Sequence, residues 1–368
     1  MMAQAVLAVL AISGVAAMLA LILVVAERFI ARYGSCTIDI NQGTRQITIE
    51  GGKSLLNVLT EEKLFIPSAC GGRGTCGYCK VTIREGGGPI LPTETPFLTA
   101  DEQEQGLRLS CQVKVRNDLV IKIPEELLSV REYTAVCEKI EDLTYDMKRF
   151  ILRLQEPDRI DYVPGQYVQL LCPPYPGSDE EVYRAYSIAS DPAETGRVDL
   201  IIRRVPNGIC TTWCFEHLQE GQTVRINGPY GEFRLSDNPA PALFIAGGSG
   251  MAPFVSILHQ MEHAHDTRSV RYFYGGNQVR DLCLLDEMKR FEEHLEDFTF
   301  VPVVAEPGPE ESWDGRRGLV TEAVSEEFDN LADYEAYLCG SPGMIDAAIK
   351  VLKSLGIDKA RVYYDKFA

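Results

Sequence analysis

The sequence predicts a multidomain α+β chain: a single N-terminal transmembrane helix, a small β-rich block, an antiparallel β-barrel and a doubly wound α/β domain. Three observations carry that reading. A charge-free apolar run stands near the start, short alternating runs separated by turn residues fill the middle, and strand, Gly-rich turn and helix alternate over the last third. A length of 368 residues favours two to three domains. Hydrophobic residues make up 45% and charged residues 24%, a composition that buries cores and is not that of a disordered chain. The formal charge of -17 repels phosphate backbones and argues against nucleic-acid binding by bulk electrostatics.

Residues 5–26 carry no charge and are rich in Ala, Val, Leu and Ile. As a helix they would extend about 33 Å, against a bilayer hydrocarbon core of about 30 Å. No Lys or Arg precedes the run, and Glu27, Arg28 and Arg32 follow it. A cleavable signal peptide has the opposite charge order, so 1–32 reads as a single uncleaved anchor. Its basic C-terminal flank places the rest of the chain in the cytoplasm, at the inner membrane.

Between 33 and 128, runs at 36–40 and 45–49 flank 41–44 as a hairpin. Residues 54–62 space Leu55, Leu56 and Leu59 as a helix with Ser54 as its cap, and 119–123 reads as a closing strand before Pro124. Between 129 and 237, the runs 147–154, 167–171, 198–203 and 223–227 read as strands of a barrel or sandwich. Residues 238–241, Asn-Pro-Ala-Pro, form a linker into the last block, 238–368. There, strands at 243–246, 270–274, 298–304 and 337–339 alternate with helices at 253–263 and 344–355.

Cys70, Cys76 and Cys79 stand as Cys-x5-Cys-x2-Cys in a Gly-rich loop, with Cys111 farther on. Four thiolates can hold a [2Fe–2S] cluster, and the glycines permit a backbone that wraps it closely. Tetrahedral zinc is the rival; the single fourth cysteine and the Gly-rich loop favour the cluster. Arg184-Ala185-Tyr186-Ser187 lies in a strand-like run with the chemistry a flavin needs: Arg for pyrophosphate, Tyr to stack, Ser to hydrogen-bond near N5. Residues 207–212 open a helix, and Gly208, Thr211 and Thr212 make a natural phosphate seat there. Residues 247–253, Gly-Gly-Ser-Gly-Met-Ala-Pro, follow a strand and open another helix. This is not Gly-x-Gly-x-x-Gly, yet it presents backbone N–H groups to a pyrophosphate. Cys339-Gly340-Ser341-Pro342-Gly343-Met344 repeats that logic at a later strand end.

On these residues, the block from 36 to 123 resembles a β-grasp ferredoxin, with one residue more between its first two cysteines than the plant-type spacing. With Gly87-Gly88-Pro89-Ile90-Leu91-Pro92 and Arg108-Leu109-Ser110-Cys111-Gln112, the chain resembles the ferredoxin–NADP reductase superfamily. More narrowly, it is similar to the F-subunit family of the Na⁺-translocating NADH:quinone oxidoreductases. The resemblance implies FAD held by Arg184, Tyr186, Ser187, Gly208, Thr211 and Thr212 in the flavin domain. It implies NADH received by Gly247, Gly248, Gly250, Cys339 and Gly340, with Ser187 and Cys339 at the hydride transfer. It also implies that Phe367 covers the flavin ring until nicotinamide displaces it. Electrons would run from NADH through FAD and the cluster to a membrane acceptor, with quinone-reducing integral membrane proteins as partners.

Two features depart from that family: 172–183 is a short Pro-rich connection where the family's sequences carry a longer stretch, and the last residues are Lys-Phe-Ala rather than a Phe-Gly-Gly-like tail. A reductase feeding an oxygenase and a membrane-tethered redox sensor are the alternative readings. Arg280 could meet a 2′-phosphate, which leaves NADPH open. His259 and His263 have i, i+4 spacing that could bind a metal, but with His265, Glu262 and Asp266 beside them the stretch reads as a solvated helix face. Cys210 and Cys214 read as small apolar fillers of a helix.

Overall fold

A computed structural model of the protein describes residues 13–20, 33–68, 70–128, 130–308 and 312–367. Residues 13–20 form an exposed helix, α1; the remainder of the expected anchor lies outside the described residues. Among the described residues, no helix is long and apolar enough to cross a membrane. The chain divides into two compact bodies, one of residues 1–66 with 72–129, the other of 67–71 with 130–368.

The first body is built on β1 (Ser35–Ile40), β2 (Arg45–Glu50), α2 (Leu55–Glu61), β3 (Lys80–Glu85), α3 (Ala100–Glu104), β4 (Leu107–Leu109) and β5 (Leu119–Lys122). The sheet order is β2-β1-β5-β3-β4, with β1 and β5 parallel and the other pairs antiparallel. β1 and β2 form the expected hairpin; Asn41 and Gln42 both take positive φ, as the tight turn demands. Ser54 caps α2 by accepting from the Asn57 N–H, and Leu55, Leu56, Val58 and Leu59 turn its apolar face inward. That face meets Ile38, Ile40, Val81, Leu109 and Ile121 in one core.

The first body ends on the short α4 (Glu125–Leu128), and the second opens with β6 (Arg131–Asp142), β7 (Met147–Glu156), β8 (Tyr167–Cys172), β9 (Val182–Ser187), β10 (Arg197–Arg203), α5 (Ile209–Glu216) and β11 (Thr223–Tyr230). Their order is β10-β7-β6-β11-β8-β9, antiparallel throughout. The outer strands join through the single bridge Ile188–Leu200. The expected barrel is thus a curled half-barrel, because β9 ends at Ser187 before a full ladder with β10 can form. The long β6 has no counterpart in the sequence reading.

The rest of this body is a parallel sheet of β12 (Ala242–Gly247), β13 (Val270–Gly276), β14 (Phe298–Val304), β15 (Arg316–Arg317), β16 (Glu335–Gly340) and β17 (Val362–Lys366), in the order β15-β14-β13-β12-β16-β17. Helices α6 (Ala252–Ala264), α7 (Leu285–His294), α8 (Val320–Glu327) and α9 (Pro342–Ser354) connect its strands. The strand order reverses direction at β12, so the crevice beyond the carboxyl ends of β12 and its neighbours is the switch point where such sheets take ligands. Met147, Ala189 and Ile201 of the half-barrel share a core with Phe244, Met251 and Phe254.

Candidate functional site

The Cys-rich loop turns on glycines held where a side chain would strain: φ is +64° at Gly71, +85° at Gly72, +76° at Gly74 and +74° at Gly77. A Cβ on Gly77 would fall 2.9 Å from the Phe97 ring, so the loop lies directly on its neighbours. Cys70 and Cys79 are buried, while Cys76 and Cys111 are half-buried. The Cys111 thiol hydrogen-bonds the Cys79 thiol and, with burial, holds Cys79 well above the usual thiol range. Gln112 Nε2 donates to Cys111 Sγ at 3.5 Å, and the Ser110 N–H donates to Cys79 O. Ser110 Oγ lies against Cys79, buried and without an oxygen or nitrogen partner. Soft sulfur ligands, unusual backbone angles and a buried hydroxyl set against a cysteine sulfur fit a thiolate-held iron–sulfur cluster.

Behind this loop's fourth cysteine stands a buried ion pair. Arg108 Nε and Nη2 donate to Glu94 at 2.9 and 2.6 Å, and its remaining donors reach the carbonyls of Gly87, Gly88 and Pro89. Glu94 accepts in turn from the N–H groups of Leu91 and Leu109. Burial alone would raise its carboxyl, but Arg108 and these two N–H groups bring it below the ordinary range. Glu94 was not singled out from the sequence; it lies 14 residues from Arg108 with no periodic signal to link them.

In the second body, Arg184, Tyr186 and Ser187 follow one another along β9. Ser187 is 4% exposed, and its Oγ is orphaned. An unspent buried hydroxyl on this strand is what a flavin ring edge would use, so the residues fit FAD. Arg184 Nη1 donates to the Tyr183 carbonyl at 2.8 Å. The Tyr186 phenol is held well above its ordinary value by burial and by Cys210. Cys210 and Cys214 are buried core residues, as filler residues should be, and Cys172 joins them there. Gly208 caps α5 with no side chain engaged, which leaves that helix start open for a phosphate. The Thr211 hydroxyl accepts from the Val205 N–H and has the Val205 and Gly208 carbonyls at 3.2 and 3.3 Å for its one proton, so in this state it braces the 205–208 turn. Thr212 sits half-buried beside the Tyr175 hydroxyl.

A cleft of about 270 Å³ opens at the switch point, lined by Asp146, Arg203, Gly248, Gly275, Gly276, Asn277, Asp281, Ser341 and Met344 among others. Of the residues expected to receive a nicotinamide nucleotide, Gly248 lines it. Gly247 and Gly340 lie behind it, each against the Met344 side chain. A Cβ on Gly250 would fall 2.2 Å from the Cys339 carbonyl oxygen, so only glycine lets the turn after β12 close onto β16. Cys339 itself is fully buried, its thiol pushed well up by burial, and it belongs to the core between β12 and β17 rather than to the cleft. Arg280 stacks on Tyr145 at 4.7 Å. Arg203, which sequence reasoning missed, stands at the Gly248 turn and pairs with Asp146 at 2.7 Å. Phe367 donates its N–H to Gly340 O at 2.9 Å and packs, half-buried, on the shared core.

Comparison with known proteins divides the chain in the same order. Residues 38–116 match a 2Fe-2S iron-sulfur cluster binding domain, 128–235 an oxidoreductase FAD-binding domain and 244–350 an oxidoreductase NAD-binding domain. The chain is similar to the F subunit of the Na⁺-translocating NADH-quinone reductase of Pseudomonas aeruginosa, 34% identical over 94% of each chain. That of Neisseria meningitidis is 33% identical over 95% of this chain and 96% of its own. Among solved structures, it is similar to an Amycolatopsis cytochrome P450 reductase, with a TM-score of 0.72 and 29% identity over 90% of this chain and 98% of that one. A ferredoxin reductase in carbazole 1,9a-dioxygenase gives 0.69 and 26% over 91% and 99%.

Proposed function

The chain belongs to the ferredoxin–NADP reductase-like flavin reductases with an N-terminal [2Fe–2S] ferredoxin domain, and from that premise we propose that it is the membrane-anchored, NADH-oxidising component of a Na⁺-translocating quinone reductase. Its activity is NAD(P)H-dependent flavin oxidoreduction, in which bound FAD and the cluster supply the conversion of a two-electron hydride into single electrons for a redox partner. The chain's own residues bind, orient and shield. Ser187 offers its unspent hydroxyl at the flavin edge, Arg184 and the open start of α5 take the pyrophosphate, and Cys70, Cys76, Cys79 and Cys111 supply the thiolates. Gly250 keeps β12 and β16 close enough for the cleft to form, and Arg203 brings a cation to its glycine turn. The carboxylates of Asp146 and Asp281 line the same cleft, and one Asp281 oxygen is buried without a partner. A 2′-phosphate would be repelled there and a ribose hydroxyl welcomed, which favours NADH.

The observation that carries the pump reading is similarity to the F subunits of such pumps along nearly the whole of both chains. One observation favours an oxygenase or P450 reductase instead. The alignment to the pump relatives runs over 385 positions, more than the 368 residues here, so it carries gaps on this side. Consistent with that, β8 and β9 are joined by a tight turn closed at Tyr175–Ser178. A tagged pull-down from membranes in mild detergent separates the two. Co-elution with polytopic, flavin-bearing proteins supports the pump; elution alone or with an oxygenase refutes it and leaves the redox chemistry standing.

A further inference from the structure

Three metal-ligating side chains meet on the second body, away from the flavin and nicotinamide motifs. His259 and His263 project from one face of α6, one turn apart, with rings nearly parallel at 22° and centroids 6.5 Å apart. Asp191, four residues beyond Ser187, comes up against them from the half-barrel. His263 Nε2 lies 2.8 and 3.0 Å from its two oxygens, and His259 Nδ1 lies 3.6 Å from the second. One ligating atom from each of the three residues lies within 4.8 Å of the others. The solvated-face reading of this stretch does not account for a carboxylate arriving from 72 residues away.

The geometry points to a divalent transition-metal site, suited to Zn²⁺, formed by Asp191, His259 and His263. A tetrahedral ion with bonds of about 2.0–2.1 Å spaces its ligands about 3.3 Å apart. Each imidazole stands 2.8–3.6 Å from the carboxylate, which brackets that edge, and the two imidazole nitrogens lie within 4.8 Å of each other, so the rings need only turn inward to close on an ion. Two imidazoles and a carboxylate are a borderline set that zinc takes in preference to magnesium or calcium. Glu262 approaches His259 at 3.7 Å but is already engaged by Arg290 at 2.9 Å and His294 at 2.5 Å, so the fourth position falls to water on the exposed His263 side. The carboxylate is held in advance: Asp191 Oδ1 accepts from the Ala193 N–H, and Tyr162 grips the Ser190 carbonyl while touching Ser256 of α6. An ion here would tie the segment that follows the flavin strand to the helix that opens the nicotinamide domain.

The test is equilibrium dialysis of the full-length holoprotein against Zn²⁺, with zinc, iron and FAD counted per chain. The wild type takes up one zinc at micromolar concentration with iron and FAD unchanged. Asp191→Asn and His263→Gln each weaken that uptake by about tenfold or more. His265→Asn, on the same exposed stretch but outside the triad, leaves it unaltered. His259→Gln is the second variant should either of the first two lose FAD or iron through misfolding. Absence of zinc uptake by the wild type, or wild-type affinity in folded triad variants, overturns the site. Neither result depends on which electron acceptor the protein serves.

Discussion

Replacing Glu94 by Ala should destabilise the cluster-bearing body selectively. Glu94 is fully buried and Arg108 is 5% exposed, so the substitution leaves a guanidinium in the core facing three carbonyls, and it strips the acceptor from the Leu91 and Leu109 N–H groups. Breaking a buried pair from one side costs about 3–5 kcal/mol, against about 5–15 kcal/mol for a whole domain. The folding equilibrium of this body should therefore fall by roughly 10²- to 10⁴-fold. Guanidinium unfolding followed by visible circular dichroism of the cluster reads this body, and flavin fluorescence reads the other. The cluster transition should move to much lower denaturant while the flavin transition stays. Replacing both partners by Leu should recover much of the loss, because no charge is then stranded. A cluster transition shifted by less than about 1 kcal/mol in Glu94→Ala would show that the pair does not hold this loop. The pH course follows from the same pair. Glu94 titrates below the ordinary 4.5, so its contribution is present above that value and fades as pH falls through the lower, folded one.

Four further outcomes are expected. Gly250→Ala places a Cβ 2.2 Å from the Cys339 carbonyl and should raise KM for NADH with FAD content unchanged; an unaltered KM would show that the turn can yield. Ser187→Ala should slow flavin reduction by about 10- to 100-fold in stopped flow without releasing FAD, since a single preorganised donor is lost. Cys111→Ser should abolish the cluster's electron paramagnetic resonance signal yet leave NADH–ferricyanide turnover, because the flavin and the nicotinamide cleft lie in the other body. Asp365, pushed up to about 6 by burial alone, should disfavour the native state once ionised. Asp365→Asn should raise Tm above pH 6, with the gain vanishing toward pH 4; a constant gain at all pH values would point to packing instead.

The elements that sequence reasoning placed well were those with local signals. Ser54 before Leu55, Asn41-Gln42-Gly43 between two β-runs and Gly247–Gly250 after an apolar strand each act through neighbours a few residues away. What escaped was built at long range. β6 lacks a turn signal at its start and is recognisable only by its pairing with β7 and β11. Thr211 reads as a phosphate ligand until the backbone of Val205 is seen to engage its hydroxyl. Cys339 sits in a motif suggestive of a cleft, yet β17, which the alternation did not reveal, pairs alongside and buries it. Arg203 and Asp146 line the cleft through an ion pair across 57 residues that no motif marks.

The strand order of the nicotinamide domain also bears on how the protein is made. β12 forms its central ladder with β16, aligning Ala242 with Glu335. At about 5–20 residues per second, a ribosome takes roughly 5–20 s to supply that partner after β12 has emerged. Throughout that interval, the apolar run Ala242–Ala246 has one unpaired edge and no α9 to cover its face. Overproduction should therefore fail first through aggregation of nascent chains not yet extended past residue 335, and a holdase chaperone should improve the soluble yield more than any substitution in the mature site.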